Sequence, residues 1–255
     1  MAENSTIQWT TNTWNPWHGC KKVSPGCRFC YMYRDKDRFK QDPKTVIRSV
    51  PATFNKPLSW KEPALVFTCS WSDWFITEAD EWRAEAWDII KRTPWLTYQI
   101  LTKRPERIMA NLPPDWGEGY PNVWLGVSVE NQAMFNKRVS ALSMVPARVR
   151  FLSIEPLIGQ IDFYKSPDWL HVWQKIGWVI VGGESGNHTG KFRFRECSVE
   201  WMQTIVEQCN TLAIPVFVKQ MGTFIADAMA MKDKHGGDID EFPATLRVRQ
   251  FPITT

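Results

Sequence analysis

The sequence predicts an α/β protein, a partial or complete (β/α) barrel with mainly parallel strands. Two observations predict it. Short apolar runs rich in β-branched residues alternate with longer amphipathic stretches, the rhythm of repeated βα units. Charged or polar residues then follow most of the runs, where the loops of a parallel sheet carry function. A doubly wound open sheet satisfies the same periodicity and is the alternative. No linker interrupts the 255 residues, so a single domain over 1–255 is expected.

In order along the chain, the first strand falls at 10–14 and leads into a cysteine-bearing loop, with a helix at 31–40. Residues 65–69 form the second strand, and 78–92 a helix whose Trp82, Ala86, Ile89 and Ile90 share one face. A third strand at 97–101 precedes a short helix opened by Pro105, a residue suited to a first helical turn. Strands at 123–127, 149–154 and 178–181 follow, the first of these trailed by a helix at 132–142. Ser198 caps a helix that runs through Cys209, with Glu200 in its first turn, and 215–218 is the seventh strand. Residues 41–63 and 165–175 read as irregular insertions, and 244–251 turns β-like.

Composition narrows the class. With 44% hydrophobic and 23% charged residues the chain is an ordinary globular protein, large enough to fold without disulfides. Residues 1–13 are polar, with no charged start running into an apolar segment, and no stretch nears the roughly 20 apolar residues of a membrane span. No signal peptide, no membrane partner and a cytoplasmic location are expected. The net charge of +4 is too small to announce a nucleic-acid binder by itself. Most of the 15 tryptophans belong in the core. Trp14, Trp17, Trp71 and Trp74, beside polar residues at strand ends, equally suit a cleft that stacks on a planar ligand.

The strongest chemical signal is the segment from Trp17 to Tyr31. Cys20, Cys27 and Cys30 lie within eleven residues, separated by six and then two positions, and Gly19, Pro25 and Gly26 let the backbone turn. Clustered cysteines in a cytosolic chain point to metal or redox chemistry. Three thiolates without an obvious fourth suit a 4Fe–4S cluster with one iron open to a small molecule. His18 as a fourth ligand keeps a zinc site in play, and unligated thiols are the third reading. Cys69 is a core thiol or a hydrogen donor beside a radical site, and Cys197 and Cys209 are structural.

The cysteine loop, with Phe29 directly before Cys30, resembles the cluster loop of radical S-adenosylmethionine (SAM) enzymes, although the first gap there is three residues rather than six. A wider resemblance covers nearly the whole chain. The runs WNPWHGC…GCRFCY, LTKRPER, VWLGVSVEN, VRFLSIEPLIG, WVIVGGESG and PVFVKQMG resemble, in order, the phage Gp37/Gp68 family (DUF5131), regarded as radical-SAM-like. The resemblance implies a barrel of the radical SAM type, a 4Fe–4S cluster on Cys20, Cys27 and Cys30, SAM as second cofactor and an external electron donor.

A SAM pocket would draw on the strand ends, because SAM offers a cationic sulfonium, an amine, a carboxylate and ribose hydroxyls. The candidates are Ser70, Ser72 and Asp73 after the second strand, Lys103 and Arg104 after the third, and Ser128 and Glu130 after the fourth. Glu155 follows the fifth, Gly182, Gly183 and Glu184 the sixth, and Lys219 the seventh. By analogy, Ser128 and Glu130 belong near the ribose and Arg104 near the carboxylate. GGESG is either a tight turn or a backbone that approaches a ligand closely; it is not a dinucleotide fingerprint. Lys191, Arg193 and Arg195 alternate with phenylalanines, as in a grip on phosphates with a stacking surface, or in a half-buried edge strand with a basic face.

The expected function is therefore reductive cleavage of SAM to a 5′-deoxyadenosyl radical, acting on a nucleic acid or nucleotide. The rival is a nucleic-acid-binding protein with a structural zinc or iron–sulfur site and no radical chemistry.

Overall fold

The structure, a computed structural model, describes residues 3–166 and 169–252. Seven parallel strands follow the chain: β1 (Asn12–Trp14), β2 (Ala64–Thr68), β3 (Leu96–Thr102), β4 (Val123–Ser128), β5 (Val149–Ile154), β6 (Trp178–Gly182) and β7 (Val216–Gln220). Every residue of β4 and β6, and all but one of β5, is buried. Strands covered on both faces read as continuous apolar runs, which is why the sequence located them.

The sheet order is β1-β2-β3-β4-β5-β6-β7, the order of the chain. A doubly wound sheet reverses its order at a switch point. This one does not, so the α/β fold is a partial (β/α) barrel, as the sequence predicts.

The principal helices are α1 (Tyr31–Arg38), α2 (Asp80–Arg92), α3 (Gln132–Ser143) and α4 (Val199–Thr211). Helix α2 carries Asp80 and Glu81 in its first turn and Lys91 and Arg92 in its last, each matched to the helix dipole. Its buried face is Arg83, Ala86, Trp87, Ile89 and Ile90, one position round from the face expected through Trp82. Helix α4 begins where expected: Ser198 Oγ accepts from the Glu200 N–H at 3.2 Å.

Three expectations need correction. Residues 41–63 are not irregular: Ile47–Arg48 pairs antiparallel with Trp17–His18, and Pro51–Phe54 is a short helix. Of the insertion at 165–175, Trp169–Trp173 is helical, while Pro167 and Asp168 lie outside the described residues, as do positions 1 and 2 of the polar start. The tail at 244–251 is a 3-10 turn (Ala244–Leu246), with only an isolated bridge from Arg249 to Phe217. Among the described residues no helix is long and apolar enough to cross a membrane.

The chain packs as two compact units. The first takes the described residues of Met1–Val23, Met32–Val127 and Met144–Val149; the second takes those of Ser24–Tyr31, Ser128–Ser143 and Arg150–Thr255. The first unit is cored by indoles: Trp14, Trp17 and Trp74 are fully buried, with Trp14 and Trp74 centroids 5.8 Å apart. The cleft expected from these three is therefore closed, and they are core residues; Trp71 alone of the four is half-buried. In the second unit Phe135, Phe163 and Trp173 stack, Phe163 and Trp173 at 4.1 Å.

Candidate functional site

In the first unit, Cys20 follows Gly19, whose φ of +94° is strained for any side chain; a Cβ there would lie 2.1 Å from the Thr45 carbonyl oxygen. The Gly19 N–H donates to Trp71 O, the Cys20 N–H to Pro43 O, Ser72 Oγ to Gly19 O, and Tyr33 OH to Cys20 O. The strand ends grip the same segment. Arg104, only 7% exposed, donates from Nη1 to Asp73 at 2.9 Å and to Cys20 Sγ at 4.0 Å, and from Nη2 to Lys21 O at 2.8 Å. Asp73 also accepts from Thr102 Oγ1 and from the backbone of Phe75 and Lys103. Burial opposes the Arg104 charge, but Asp73 and Cys20 outweigh it and the pKa is raised. Ser70 pairs with Asn15.

In the second unit, the Gly26 N–H donates to Glu130 Oε1 at 3.0 Å. Glu130 is fully buried and paired through its other oxygen with Arg138 at 2.8 Å; Arg138 also donates to Ser128 O. Arg195 chelates Glu184, donates to Pro25 O at 2.8 Å, and sits 5.4 Å from the Phe29 ring centroid. Glu155 pairs with Lys219. Gly183 allows a close approach within the chain: a Cβ there would lie 2.2 Å from Met221 O.

The candidate residues thus divide. Ser72, Asp73 and Arg104 hold the segment around Cys20, whereas Glu130 and Arg195 hold the turn that carries Cys27. Lys191 and Arg193 are exposed, while Phe192 and Phe194 are half-buried. No strand forms at 191–195, so the edge-strand reading of that run fails. Sequence reasoning missed Arg138 and Lys36. The latter had a signal: Met32, Tyr33 and Lys36 share one face of α1 at spacings of four and three, and all three are buried.

Lys36 Nζ lies 2.7 Å from His18 Nδ1 and also donates to Gln41. Burial, then the Lys36 charge, lower the His18 pKa. A histidine that resists protonation only in the folded state costs stability once the unfolded chain takes up the proton. The urea midpoint should therefore fall as pH drops below about 6.5, the unperturbed histidine value. His18→Asn should flatten that fall; an equal fall in the variant would show that His18 is not its source.

Cys20, Cys27 and Cys30 are reduced thiols, each half-buried. Cys69, Cys197 and Cys209 are buried; burial pushes the Cys197 thiol up to about 12 and raises the other two. Cys69 has a φ of +54° directly after β2. Among the described residues no three His, Cys, Asp or Glu side chains stand together as a preformed metal cage. The donor chemistry nonetheless fits a thiophilic cluster, because the three thiols that share a loop are the three that escape full burial, and metal capture is ordinarily coupled to local folding.

No curated protein and no solved structure matches the chain. A family model described as "Protein of unknown function (DUF5131)" matches residues 4–242, nearly its whole length, and the chain belongs to that family.

Proposed function

We propose that this protein is an iron–sulfur enzyme of the radical SAM kind, with Cys20, Cys27 and Cys30 as ligands of a 4Fe–4S cluster and a nucleic acid or nucleotide as substrate. The contrast among the six thiols supports the reading: ligation requires thiolates, full burial disfavours them, and of the six only the loop cysteines escape full burial. When bound, the cluster would pass one electron from an external donor to SAM, breaking a carbon–sulfur bond to give a 5′-deoxyadenosyl radical.

The chain's own residues have supporting tasks. Asp73 and Arg104 keep a fixed cation beside Cys20, and Glu130 holds the Cys27 turn by its backbone. Ser70, Ser72 and Glu184 already have protein partners and are assigned to positioning. Glu155 and Lys219 of the second unit, an ion pair partly open to solvent, are the strand-end charges assigned to SAM. Cys69, whose burial keeps the S–H intact, holds the hydrogen a donor would need. Lys191 and Arg193 are assigned to phosphates, whereas Arg195 is committed to Glu184. The phage Gp37/Gp68 kinship and a cytoplasmic location belong to the same proposal.

Changing any one of Cys20, Cys27 or Cys30 to Ser should remove most of the iron from anaerobically reconstituted protein, since a hydroxyl does not replace a thiolate on a soft iron centre. Full iron content in all three variants defeats the assignment. Zinc with no iron in the wild-type protein also overturns it.

A further inference from the structure

We propose that the tryptophans of the first unit form a one-electron relay, carrying oxidising equivalents from beside the cysteine loop to Tyr120. Trp17 precedes Cys20 by three positions, and its Nε1 donates to the carbonyl of Asp73, the residue that pairs with Arg104. From Trp17 the ring centroids step 5.1 Å to Trp74, 5.0 Å to Trp87, 5.4 Å to Trp116 and 5.0 Å to Tyr120. Trp17 and Trp74 are fully buried, Trp87 and Trp116 nearly so, and Tyr120 is half-buried. Tyr120 lines an open groove with Trp87, Asp88, Lys91 and Asp115. Indole and phenol are, with thiols, the side chains that give up one electron most readily, and rings in van der Waals contact exchange it quickly.

The protons give the relay its direction. An oxidised indole that loses its N–H proton becomes a trap. Trp74 Nε1 has no hydrogen-bond acceptor among the described residues, and Trp17, Trp87 and Trp116 donate to backbone carbonyls, which are poor proton acceptors. The charge therefore stays mobile along the indoles. Tyr120 differs, because its OH donates to the Asp115 carboxylate at 2.5 Å. Oxidation there releases the phenolic proton onto Asp115 and leaves a neutral tyrosyl radical. Tyr98 is also in contact with the network, 5.7 Å from Trp14, but its OH pairs with the Thr93 hydroxyl and has no carboxylate. Core packing alone accounts for buried indoles; it does not account for a half-buried tyrosine on a carboxylate at the outer end of the file.

The balance is one electron per event. In the metal-free protein a peroxyl radical, the one-electron oxidant, takes a hydrogen atom from the Cys20 thiol to give a hydroperoxide and a thiyl radical. The thiyl radical then takes an electron from Trp17 and a proton from solvent and returns to the thiol. Each indole is refilled by the next, Tyr120 gives the final electron, and its proton goes to Asp115. A small soluble reductant, a thiol or ascorbate, then returns a hydrogen atom to Tyr120 through the groove. The relay is independent of the metal assignment.

The test uses full-length, metal-free protein carrying Cys27→Ser and Cys30→Ser, with a thiol-reactive ruthenium polypyridyl photosensitiser on Cys20. Cys69, Cys197 and Cys209 are buried and escape the label. Flash oxidation with an added electron acceptor should give a tyrosyl radical in frozen-sample electron paramagnetic resonance. Tyr120→Phe should abolish that signal and leave a tryptophanyl radical, while Trp87→Phe should cut the tyrosyl yield at least tenfold. Trp95→Phe and Tyr98→Phe should change nothing. Should Trp87→Phe fail to fold, Tyr120→Phe, at a half-buried position, decides alone. An undiminished tyrosyl signal in Tyr120→Phe, or no radical in the parent protein, overturns the relay.

Discussion

Replacing Glu130 with alanine should destabilise the folded protein by about 3–5 kcal/mol in urea unfolding, because it strands a buried guanidinium. Glu130 is fully buried and Arg138 is 3% exposed at its side chain, so water cannot replace the lost partner. Glu130→Gln keeps the shape and should cost less. The pair Glu130→Leu with Arg138→Met removes both charges and should recover much of the loss, since buried ion pairs are often no better than apolar residues of similar volume. A double-mutant cycle with no coupling would show that the pair acts as two separate groups. Glu130→Ala also removes the acceptor of the Gly26 amide, whose hydrogen exchange should quicken ahead of global unfolding.

Replacing Arg104 with alanine should cost a similar amount, about 3–5 kcal/mol, by leaving the buried Asp73 carboxylate without its cation. A second consequence is local. Arg104 reaches Asp73, Cys20 Sγ and Lys21 O at once, so its loss releases the segment that carries Cys20. Arg104→Lys retains the charge without the planar fork and should recover only part of the stability. Wild-type stability in Arg104→Ala would mean that Asp73 is satisfied by its Thr102, Phe75 and Lys103 donors alone.

The strands were legible because a parallel sheet covered on both faces leaves a simple mark, an unbroken apolar run such as 178–181. The loop cysteines were legible because their spacing is local. What residues do at the strand ends was less so. Asp73, Glu130 and Glu184 stand out in the sequence only as strand-end carboxylates; each is tied to an arginine of its own unit, and partners eight to thirty-one positions away leave no periodic trace. The tryptophans misled for a related reason. Indoles beside polar residues suggest a ligand surface, but two of them are satisfied inside the core by backbone carbonyls far along the chain, Trp14 Nε1 by Phe54 O and Trp17 Nε1 by Asp73 O, partners that leave no local mark. In the tail, 244–251 has the composition of a strand but makes only a bridge and a few backbone bonds beside β7.

The central claim is that the loop cysteines support a cluster that acts on SAM. The most direct measurement is anaerobic incubation of the reconstituted protein with SAM and dithionite, followed by chromatographic quantitation of 5′-deoxyadenosine. The account predicts a brown protein that forms 5′-deoxyadenosine, and no product when any one of Cys20, Cys27 or Cys30 is Ser. A fully iron-loaded protein that forms no 5′-deoxyadenosine, or forms as much with Cys27→Ser as without it, would contradict it.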